Sequence, residues 1–431
     1  MRVIAPLAAA PDATVSIPGS KSLTNRALVL AALADGTTHL SNALFSDDTV
    51  VMVESLRRLG VRMEVDPVAQ TIRVHGGGGT IPAASAELFV GGAGTAARFL
   101  TALVALGHGD YRIDGSVRMR ERPMEDLLAA LAALGVSIRA PGGTLPLVVA
   151  AHGLRGGRTV VRGEVSSQFV SALLMAAPYA SGDVEIVVEG ALTAAPYVAM
   201  TLAVMAAFGV TVDRPSGRSQ EEGLNHFQVR AGQRYRARAY AVEPDASSAA
   251  YFLAAAAITR GRVKIPRLSA RSVQGDARFI DVLERMGCAV ERGDDVIGVR
   301  GPASLRGVDV DLNAMSDQTM TLAAIAPFAE GPTRIRGVAH IRHQESDRLA
   351  ATAAELRRLG QEVEMLDDGL VIVPRPVRPA VVETYGDHRI AMAFAVAGLR
   401  APGIAIADPE CVTKTFPDFF ERLEALSQSV P

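Results

Sequence analysis

Apolar residues recur along the chain in a helical pattern that ends in glycine and runs directly into a short strand pattern. The helical stretches end at Gly60, Gly135, Gly209, Gly287 and Gly360, at spacings of 75, 74, 78 and 73 residues. A glycine just past a helix takes the left-handed conformation that closes the last turn, so each is predicted to be a C-cap. A shortened sixth copy, RLEALSQSV, stands near the end of the sequence.

A second pattern, an alanine-rich apolar helix followed by glycine and a strand, has the same period. Its glycines are spaced by 73, 73, 79, 70 and 72 residues and are Gly36, Gly109, Gly182, Gly261, Gly331 and Gly403. Two independent markers with one period indicate six copies of a unit. Each unit is predicted to hold an all-apolar buried helix, a strand, an amphipathic surface helix and a β-hairpin.

The fold class expected from these units is α/β, in two lobes of three units, with helices inside and sheets partly outside. The longest polar stretch spans residues 214–245 and follows the third copy, so we place the crossover between lobes near residue 236. The predicted lobes are residues 21–235 and residues 1–20 together with 236–431.

Composition places the chain among ordinary globular enzymes. It has 431 residues, 49% of them hydrophobic and 21% charged, with a net charge of −2. No basic tract points to nucleic acid, and no apolar run has the length of a membrane span. We expect a cytoplasmic monomer that acts on small molecules and needs no metal or other cofactor.

Polar residues gather where the helices are predicted to start. Serine and aspartate there are typical N-caps, and capping accounts for Ser247 and Ser248. Capping does not account for a set of cationic residues at predicted helix starts, namely Lys21, Arg122, Arg348, His388, Arg389 and Lys414. A cation at a helix N-terminus faces the positive end of the dipole, so we expect a bound anion to neutralise the set.

Three weaker signals carry less of the interpretation. The glycine loop Gly91–Thr95 opens a helix but lacks the lysine of a P-loop. His340 and His343 have the side chains of metal ligands, but no cysteine pair or HExxH pattern accompanies them. Lys21 and Lys414 are two of only three lysines among 44 Lys and Arg residues, and a lysine, unlike arginine, can relay a proton.

Nine segments together resemble the EPSP synthase family of enolpyruvyl transferases. They cover essentially the whole chain in order and are PGSKSLTNRAL, GGAGTAARF, RMRERPMEDLL, GEVSSQFVSALLMAAP, EPDASSAAYFLAAAAI, SDQTMTLA, QESDRL, TYGDHRIAMAFA and DPECVTKTFPDFF. The resemblance implies an inside-out α/β barrel in each of two lobes, built from three βαββαβ units, with the active site in the cleft between lobes.

The resemblance also implies a reaction. The enolpyruvyl group of phosphoenolpyruvate is transferred to the 5-hydroxyl of shikimate 3-phosphate, giving 5-enolpyruvylshikimate 3-phosphate and phosphate. The transfer proceeds by addition and then elimination, as a step of chorismate and aromatic amino acid biosynthesis. The family's inhibitor glyphosate competes at the phosphoenolpyruvate site.

Site residues follow by matching positions to the family motifs. Asp317 matches the base for the 5-hydroxyl proton, Glu345 the acid for the methylene carbon, and Lys21 a third catalytic group. The shikimate 3-phosphate set is Lys21, Ser22, Arg26, Ser166, Ser167, Gln168, Tyr197, Asp317, His340 and Gln344. The phosphoenolpyruvate set is Lys21, Gly94, Arg122, Gln168, Arg348, His388, Arg389 and Lys414.

The chain departs from the common family pattern at Gly92, Phe99, Ala194–Ala195, His340 and Gln344. Ala194 and Gln344 fall at expected contacts to the shikimate phosphate, and our hypothesis is that Arg342, His343 or Thr193 compensates.

Two other functions remain as alternatives to this reaction. One is transfer to UDP-N-acetylglucosamine, although residues 115–125 lack the reactive cysteine usual in that sister family. The other is a non-catalytic anion-binding protein with the same repeat.

Overall fold

The computed structural model describes residues 1–214 and 224–428. Part of the polar stretch used to place the lobe crossover, and the last two residues of RLEALSQSV, lie outside the described residues. The chain forms two compact units. Gly19–Glu243 is here called the N-terminal unit, and Met1–Pro18 with Pro244–Pro431 is called the C-terminal unit.

The helices begin close to the polar positions identified in the sequence. In chain order the α-helices of the described residues are α1 (Lys21–Leu33), α2 (Asp47–Arg58), α3 (Gly94–Val104), α4 (Val117–Glu121), α5 (Glu125–Ala133), α6 (Ser167–Ala176), α7 (Pro196–Ala207), α8 (Ala246–Thr259), α9 (Phe279–Arg285), α10 (Thr319–Ile325), α11 (Arg348–Arg358), α12 (His388–Gly398) and α13 (Phe419–Ala425).

The strands are short, and most of them alternate with the helices. They are β1 (Arg2–Val3), β2 (Asp12–Thr14), β3 (Asp35–Ser41), β4 (Arg62–Asp66), β5 (Thr71–Gly77), β6 (Ser85–Phe89), β7 (His108–Asp114), β8 (Ser137–Arg139), β9 (Leu147–His152), β10 (Gly157–Arg162), β11 (Val184–Glu189), β12 (His226–Val229), β13 (Ala239–Ala241), β14 (Arg262–Pro266), β15 (Ala289–Arg292), β16 (Val296–Arg300), β17 (Leu305–Arg306), β18 (Asp309–Asp311), β19 (Ala329–Glu330), β20 (Thr333–Arg336), β21 (Glu362–Met365), β22 (Leu370–Val373), β23 (Ala380–Val382) and β24 (Ile404–Ile406).

The sheets of both units share one pairing scheme. The N-terminal unit has the strand orders β13-β3-β5-β4, β6-β7-β9-β8 and β10-β11-β12. The C-terminal unit has β2-β14-β16-β15, β18-β20-β22-β21, β23-β24-β1 and the small pair β17-β19. Apart from that small pair, each sheet starts with a parallel pair and continues antiparallel. Because β13 pairs with β3, the chain as far as Ala241 belongs to the N-terminal unit.

Local patterns correctly predicted both the hairpins and the helix ends. The hairpins β4-β5, β15-β16 and β21-β22 are antiparallel as expected. The five glycines predicted to close helices have φ of 90°, 85°, 89°, 103° and 86°, in chain order. These values lie in the left-handed region that glycine enters without a steric penalty.

The apolar helices lie in the interior of each unit. From its third residue to its last, α1 is buried, and α8 is buried over nearly its whole length. In the N-terminal unit α3 contacts α1 and α6, and in the C-terminal unit α8, α10 and α12 contact one another. Each unit therefore has its own hydrophobic core around these helices. Within residues 1–214 and 224–428, we find no helix long and apolar enough to span a membrane.

Candidate active site

One guanidinium joins the two carboxylates that the resemblance assigns to proton transfer. Arg348 Nη1 donates to Asp317 Oδ1 at 2.9 Å, and Arg348 Nη2 lies 2.9 Å from Glu345 Oε2. Arg348 Nε donates to Asp387 Oδ2 at 2.8 Å. Arg389 Nη2 donates to the second oxygen of Asp317, at 2.7 Å. These five residues are here called the arginine–carboxylate cluster.

Three segments of the C-terminal unit meet at this cluster. Asp317 lies in a 3₁₀ helix, Asn313–Gln318, that leads into α10, and Arg348 is the first residue of α11. Asp387 is the N-cap of α12 and accepts a hydrogen bond from the Arg389 backbone N at 3.0 Å. The same carboxylate therefore caps α12 and orients the side chain that opens α11.

The cluster is neutralised from within the protein. Burial lowers the pKa of Arg348, but Asp387, Glu345 and Asp317 outweigh burial and raise it above its ordinary value. Arg348 therefore stays charged although it is only 1% exposed. The cations at these helix starts are therefore balanced without an external anion, because three carboxylates face two guanidinium groups. Anion binding at the cluster stays a prediction.

Four further predicted residues lie around the cluster. Gln344 Oε1 accepts a hydrogen bond from Arg348 Nη1. Burial lowers the pKa of His340 to about 4. Asp317 acts to raise this pKa and Arg348 to lower it, and His340 is neutral at pH 7. His388 is fully buried, with Nδ1 3.5 Å from Asp387 Oδ1. Lys414 ends a 3₁₀ helix, Pro409–Lys414, that contacts α12.

In the N-terminal unit, Lys21 opens α1 beside a buried carboxylate. Its Nζ lies 2.9 Å from Oδ2 of Asp48, which belongs to the first turn of α2. The negative charge of Asp48 offsets the unfavourable position of a cation at a helix N-terminus. Sequence reasoning assigned Lys21 to substrate binding. In the structure Asp48 pairs with it, just as carboxylates of the C-terminal unit pair with Arg348.

Arg26 ties three helices together. Its Nε donates to Thr201 Oγ1 at 2.7 Å, and its Nη2 donates to Tyr197 O at 3.0 Å and Ser171 Oγ at 3.3 Å. Its Nη1 donates to Ser22 O at 3.1 Å. Burial lowers the pKa of Arg26 to about 10, which leaves it charged at neutral pH. Arg26 therefore contacts both Ser22 and Tyr197, which were predicted with it as site residues. Its guanidinium N–H groups donate to oxygens of the protein.

The start of α6 presents the predicted Ser-Ser-Gln segment. Ser166 is the N-cap, and its Oγ accepts from Gln168 N at 3.2 Å. Ser167 is the first helical residue and is buried. Within the described part of the chain, Gln168 Oε1 is buried and has no hydrogen-bond partner. A buried acceptor in this state is suited to a donor group on a ligand.

Gly94 and Arg122 are in close contact at the start of α3. A Cβ at Gly94 would lie 2.8 Å from both Arg122 Nη1 and Nη2, which is closer than such atoms approach. Arg122 is the C-cap of α4 and stands two residues before Met124, the N-cap of α5, whereas Lys414 ends a 3₁₀ helix. The Arg122 guanidinium nevertheless lies at the first residue of α3, where the helix dipole disfavours a cation.

Two of the residues proposed to compensate for departures from the family pattern have protein partners of their own. Ala194 has a left-handed φ of 51°. Thr193 Oγ1 donates to Glu164 O at 3.3 Å, and Arg342 Nη2 donates to Leu366 O at 2.9 Å. Compensation at the shikimate phosphate by Arg342, His343 or Thr193 stays a prediction.

Asp276 is a buried carboxyl beside the cluster that sequence reasoning missed. It lies in a 3₁₀ helix, Gly275–Arg278, and its Oδ2 accepts a hydrogen bond from Ser247 Oγ. Burial and then repulsion from Asp317 raise the pKa of Asp276 to about 7, and Arg389 acts in the opposite direction. Aspartate next to glycine in a loop gave no sequence signal for this environment.

The Ser247 contact also corrects the predicted cap of α8. The capping side chain is that of Asp245, which accepts from Ser248 N at 2.7 Å. Ser247 binds Asp276, and Ser248 contributes only its backbone N–H to the cap. An aspartate one residue before the helix has the better position to reach the free N–H groups of the first turn.

Replacing Asp276 with asparagine is expected to make the protein more stable at alkaline pH. A carboxyl whose pKa is higher in the folded than in the unfolded state contributes stability below the unfolded value, and this is lost as pH rises through about 7. Neutral asparagine removes that loss. We expect the Tm difference between variant and parent to grow from pH 4 to pH 8 by about 2 °C or more, measured by thermal unfolding. A difference that does not change with pH would contradict the assignment.

A family comparison covers nearly the whole chain. The model of EPSP synthase (3-phosphoshikimate 1-carboxyvinyltransferase) matches residues 8–423. The chain belongs to this family. The resemblance drawn from the nine segments is thereby confirmed, and the chain is a carboxyvinyltransferase with small-molecule substrates. Neither alternative function is favoured by this match.

Curated relatives support the family over nearly the whole chain. A 3-phosphoshikimate 1-carboxyvinyltransferase of Trichormus variabilis is 53% identical over 413 residues, which is 95% of each chain. One from Shewanella baltica is 47% identical over 421 residues, which is 96% of each chain.

Solved structures of the family share the mixed α/β fold. EPSP synthase from Acinetobacter baumannii aligns with a TM-score of 0.81 at 28% identity, covering 98% of this chain and 97% of that one. The enolpyruvyl transferase NikO from Streptomyces tendae has a TM-score of 0.78 at 21% identity, covering 98% and 96%, and shows the fold alone.

Proposed function

We propose that this chain transfers the enolpyruvyl group of phosphoenolpyruvate to the 5-hydroxyl of shikimate 3-phosphate and releases phosphate. The observation that carries the proposal is the Arg348 guanidinium, 2.9 Å from both Asp317 and Glu345. The reaction needs one group that removes the hydroxyl proton and another that protonates the methylene carbon. One guanidinium holds a carboxylate for each task.

Asp317 accepts the 5-hydroxyl proton, and Glu345 delivers a proton to the methylene carbon of phosphoenolpyruvate. Glu345 must be protonated to act as the acid, and protonation weakens its ion pair with Arg348. Arg348 Nη2 then becomes available to a carboxylate of the substrate. The arginine–carboxylate cluster carries no net positive charge before the substrate binds. The phosphoenolpyruvate carboxylate can still bind there, because it takes the place of the Glu345 carboxylate at Arg348.

Recognition of the substrates is divided between the units. The N-terminal unit contributes the residues around Arg26 and the start of α6, which suit shikimate 3-phosphate. The C-terminal unit contributes Arg348, Arg389 and Lys414, which suit phosphoenolpyruvate, and the N-terminal unit adds Gly94 and Arg122 to that set. Each unit is built from three βαββαβ repeats, with buried helices and sheets outside, as the shared pairing scheme and the recurring glycines support. The cytoplasmic location and the monomeric state stay predictions.

Turnover in D₂O tests addition–elimination directly. Protonation of the methylene carbon makes a methyl group. Elimination of phosphate then forms the double bond as one of the three methyl hydrogens returns, as a proton, to the Glu345 carboxylate. We expect mass spectrometry to find solvent deuterium in the vinyl group of the product. A product without deuterium would rule out the proposed route, and failure to consume phosphoenolpyruvate would rule out the function.

Replacing Gly94 with alanine is expected to raise the KM for phosphoenolpyruvate about tenfold, the effect of one weakened hydrogen bond to a charged group. The added methyl group displaces the Arg122 guanidinium, which lies 2.8 Å from its position. The KM for shikimate 3-phosphate should change less than about twofold, since Arg122 belongs to the phosphoenolpyruvate set. If Gly94→Ala raised the KM for shikimate 3-phosphate as much as the KM for phosphoenolpyruvate, the assignment of Arg122 to phosphoenolpyruvate would be wrong.

A further inference from the structure

Helix α11 holds one short segment of the chain through two buried side chains. Its first residue, Arg348, binds Asp387, as described above. Glu355 lies seven residues later, about two turns along the same face. Glu355 is 0% exposed, and its carboxylate accepts from Glu383 N at 3.0 Å and from Tyr385 OH at 2.8 Å. Both side chains of α11 therefore hold the segment 383–387.

This segment has a backbone that needs such support. Tyr385 and Gly386 have φ of 56° and 65°, so two successive residues are left-handed, and Asp387 N donates back to Thr384 O at 2.8 Å. The left-handed conformation is unfavourable for a tyrosine, because its Cβ crowds the backbone. Tyr385 is 47% exposed, so its hydroxyl rather than burial of its ring anchors it.

A carboxylate suits this position better than an amide. Glu355 receives three donors, since Arg358 Nε also lies 3.0 Å from its Oε2. A glutamine offers one acceptor oxygen and would turn an N–H group towards one of these donors. Burial and the Glu355 hydrogen bond raise the pKa of Tyr385 to about 12, so its hydroxyl stays a donor at working pH.

We propose that Glu355 is a positioning residue, which holds the turn 383–387 so that Asp387 meets Arg348 and α12 presents Arg389. Glu355 touches no substrate and acts through Tyr385 and the Glu383 backbone. The inference rests on the proposed role of Arg348 and Arg389 in binding phosphoenolpyruvate. A loosened turn displaces both arginines, whereas seven of the ten residues assigned to shikimate 3-phosphate lie in the N-terminal unit and stay in place.

Steady-state kinetics of Glu355→Gln and Tyr385→Phe test this role in the full chain. For both variants we expect the KM for phosphoenolpyruvate to rise about tenfold, while the KM for shikimate 3-phosphate changes less than about twofold. The double variant should be about as impaired as Glu355→Gln alone, because both changes disrupt the same hydrogen bond between Tyr385 and Glu355. Glu364→Gln, an exposed residue of β21, is the matched control and should behave like the parent.

The alternative is that Glu355 serves stability alone. In that case kcat per mole of protein would fall with the folded fraction, both KM values would stay at parental levels, and the inference would be overturned. Tyr385→Phe removes only a hydroxyl and keeps the test decisive if Glu355→Gln does not fold. An inactive parent would instead refute the proposed function, which separates the two failures.

Discussion

Asp317→Ala is expected to lower kcat about 1000-fold, within the range of 10²–10⁴ that a positioned general base contributes. The loss should persist at saturating concentrations of both substrates, because it removes the acceptor of the 5-hydroxyl proton. The KM for phosphoenolpyruvate should rise as well, since Arg348 and Arg389 both donate to Asp317. Phosphate release under steady-state conditions measures both effects.

The matched control is Asp309→Ala. Asp309 is an exposed carboxylate in the same unit and forms an ion pair of 2.8 Å with Arg336. Its replacement should leave kcat within about twofold of the parent, since exposed ion pairs contribute little. A kcat for Asp317→Ala within tenfold of the parent would show that Asp317 is not the base.

Arg348→Ala is expected to produce the largest loss of stability of any single change in the cluster. It leaves Asp387, whose side chain is 0% exposed, without its cation. Removing one partner of a buried ion pair costs about 3–5 kcal/mol, because the remaining charge stays buried. For a unit of this size, the Tm should fall by about 10 °C, measured by thermal unfolding.

Arg336→Ala provides the comparison for that loss. It removes the same side chain from a pair whose members are 41% and 54% exposed. The cost should stay below about 1 kcal/mol. Equal Tm values for the two variants would mean that Arg348 does not hold the cluster together.

The elements that local interactions determine are predictable from this sequence. A C-cap such as Gly60 depends on its own φ, and an N-cap such as Ser166 bonds a residue two positions away. The helix that Arg122 ends, α4, was missed because it has five residues, too few for a helical period to be visible. Lys414 was misplaced because it ends a 3₁₀ helix, which has a different period.

The pairing of the cluster could not be predicted from local patterns. Arg348 and Asp387 are 39 residues apart, and Lys21 and Asp48 are 27 apart, so only the fold brings each pair together. Asp48 and Asp387 did carry one signal, since aspartate is typical of the helix starts at which both stand. Glu355 carried none, because a glutamate on an amphipathic helix normally faces solvent.

Phosphate release from phosphoenolpyruvate by the purified full chain is the most direct test of the central claim. It should be measured with shikimate 3-phosphate, with UDP-N-acetylglucosamine and with no acceptor. We expect release with shikimate 3-phosphate alone. Release of phosphate with UDP-N-acetylglucosamine would contradict the claim that this site performs enolpyruvyl transfer to shikimate 3-phosphate. The absence of release with both acceptors would contradict it as well.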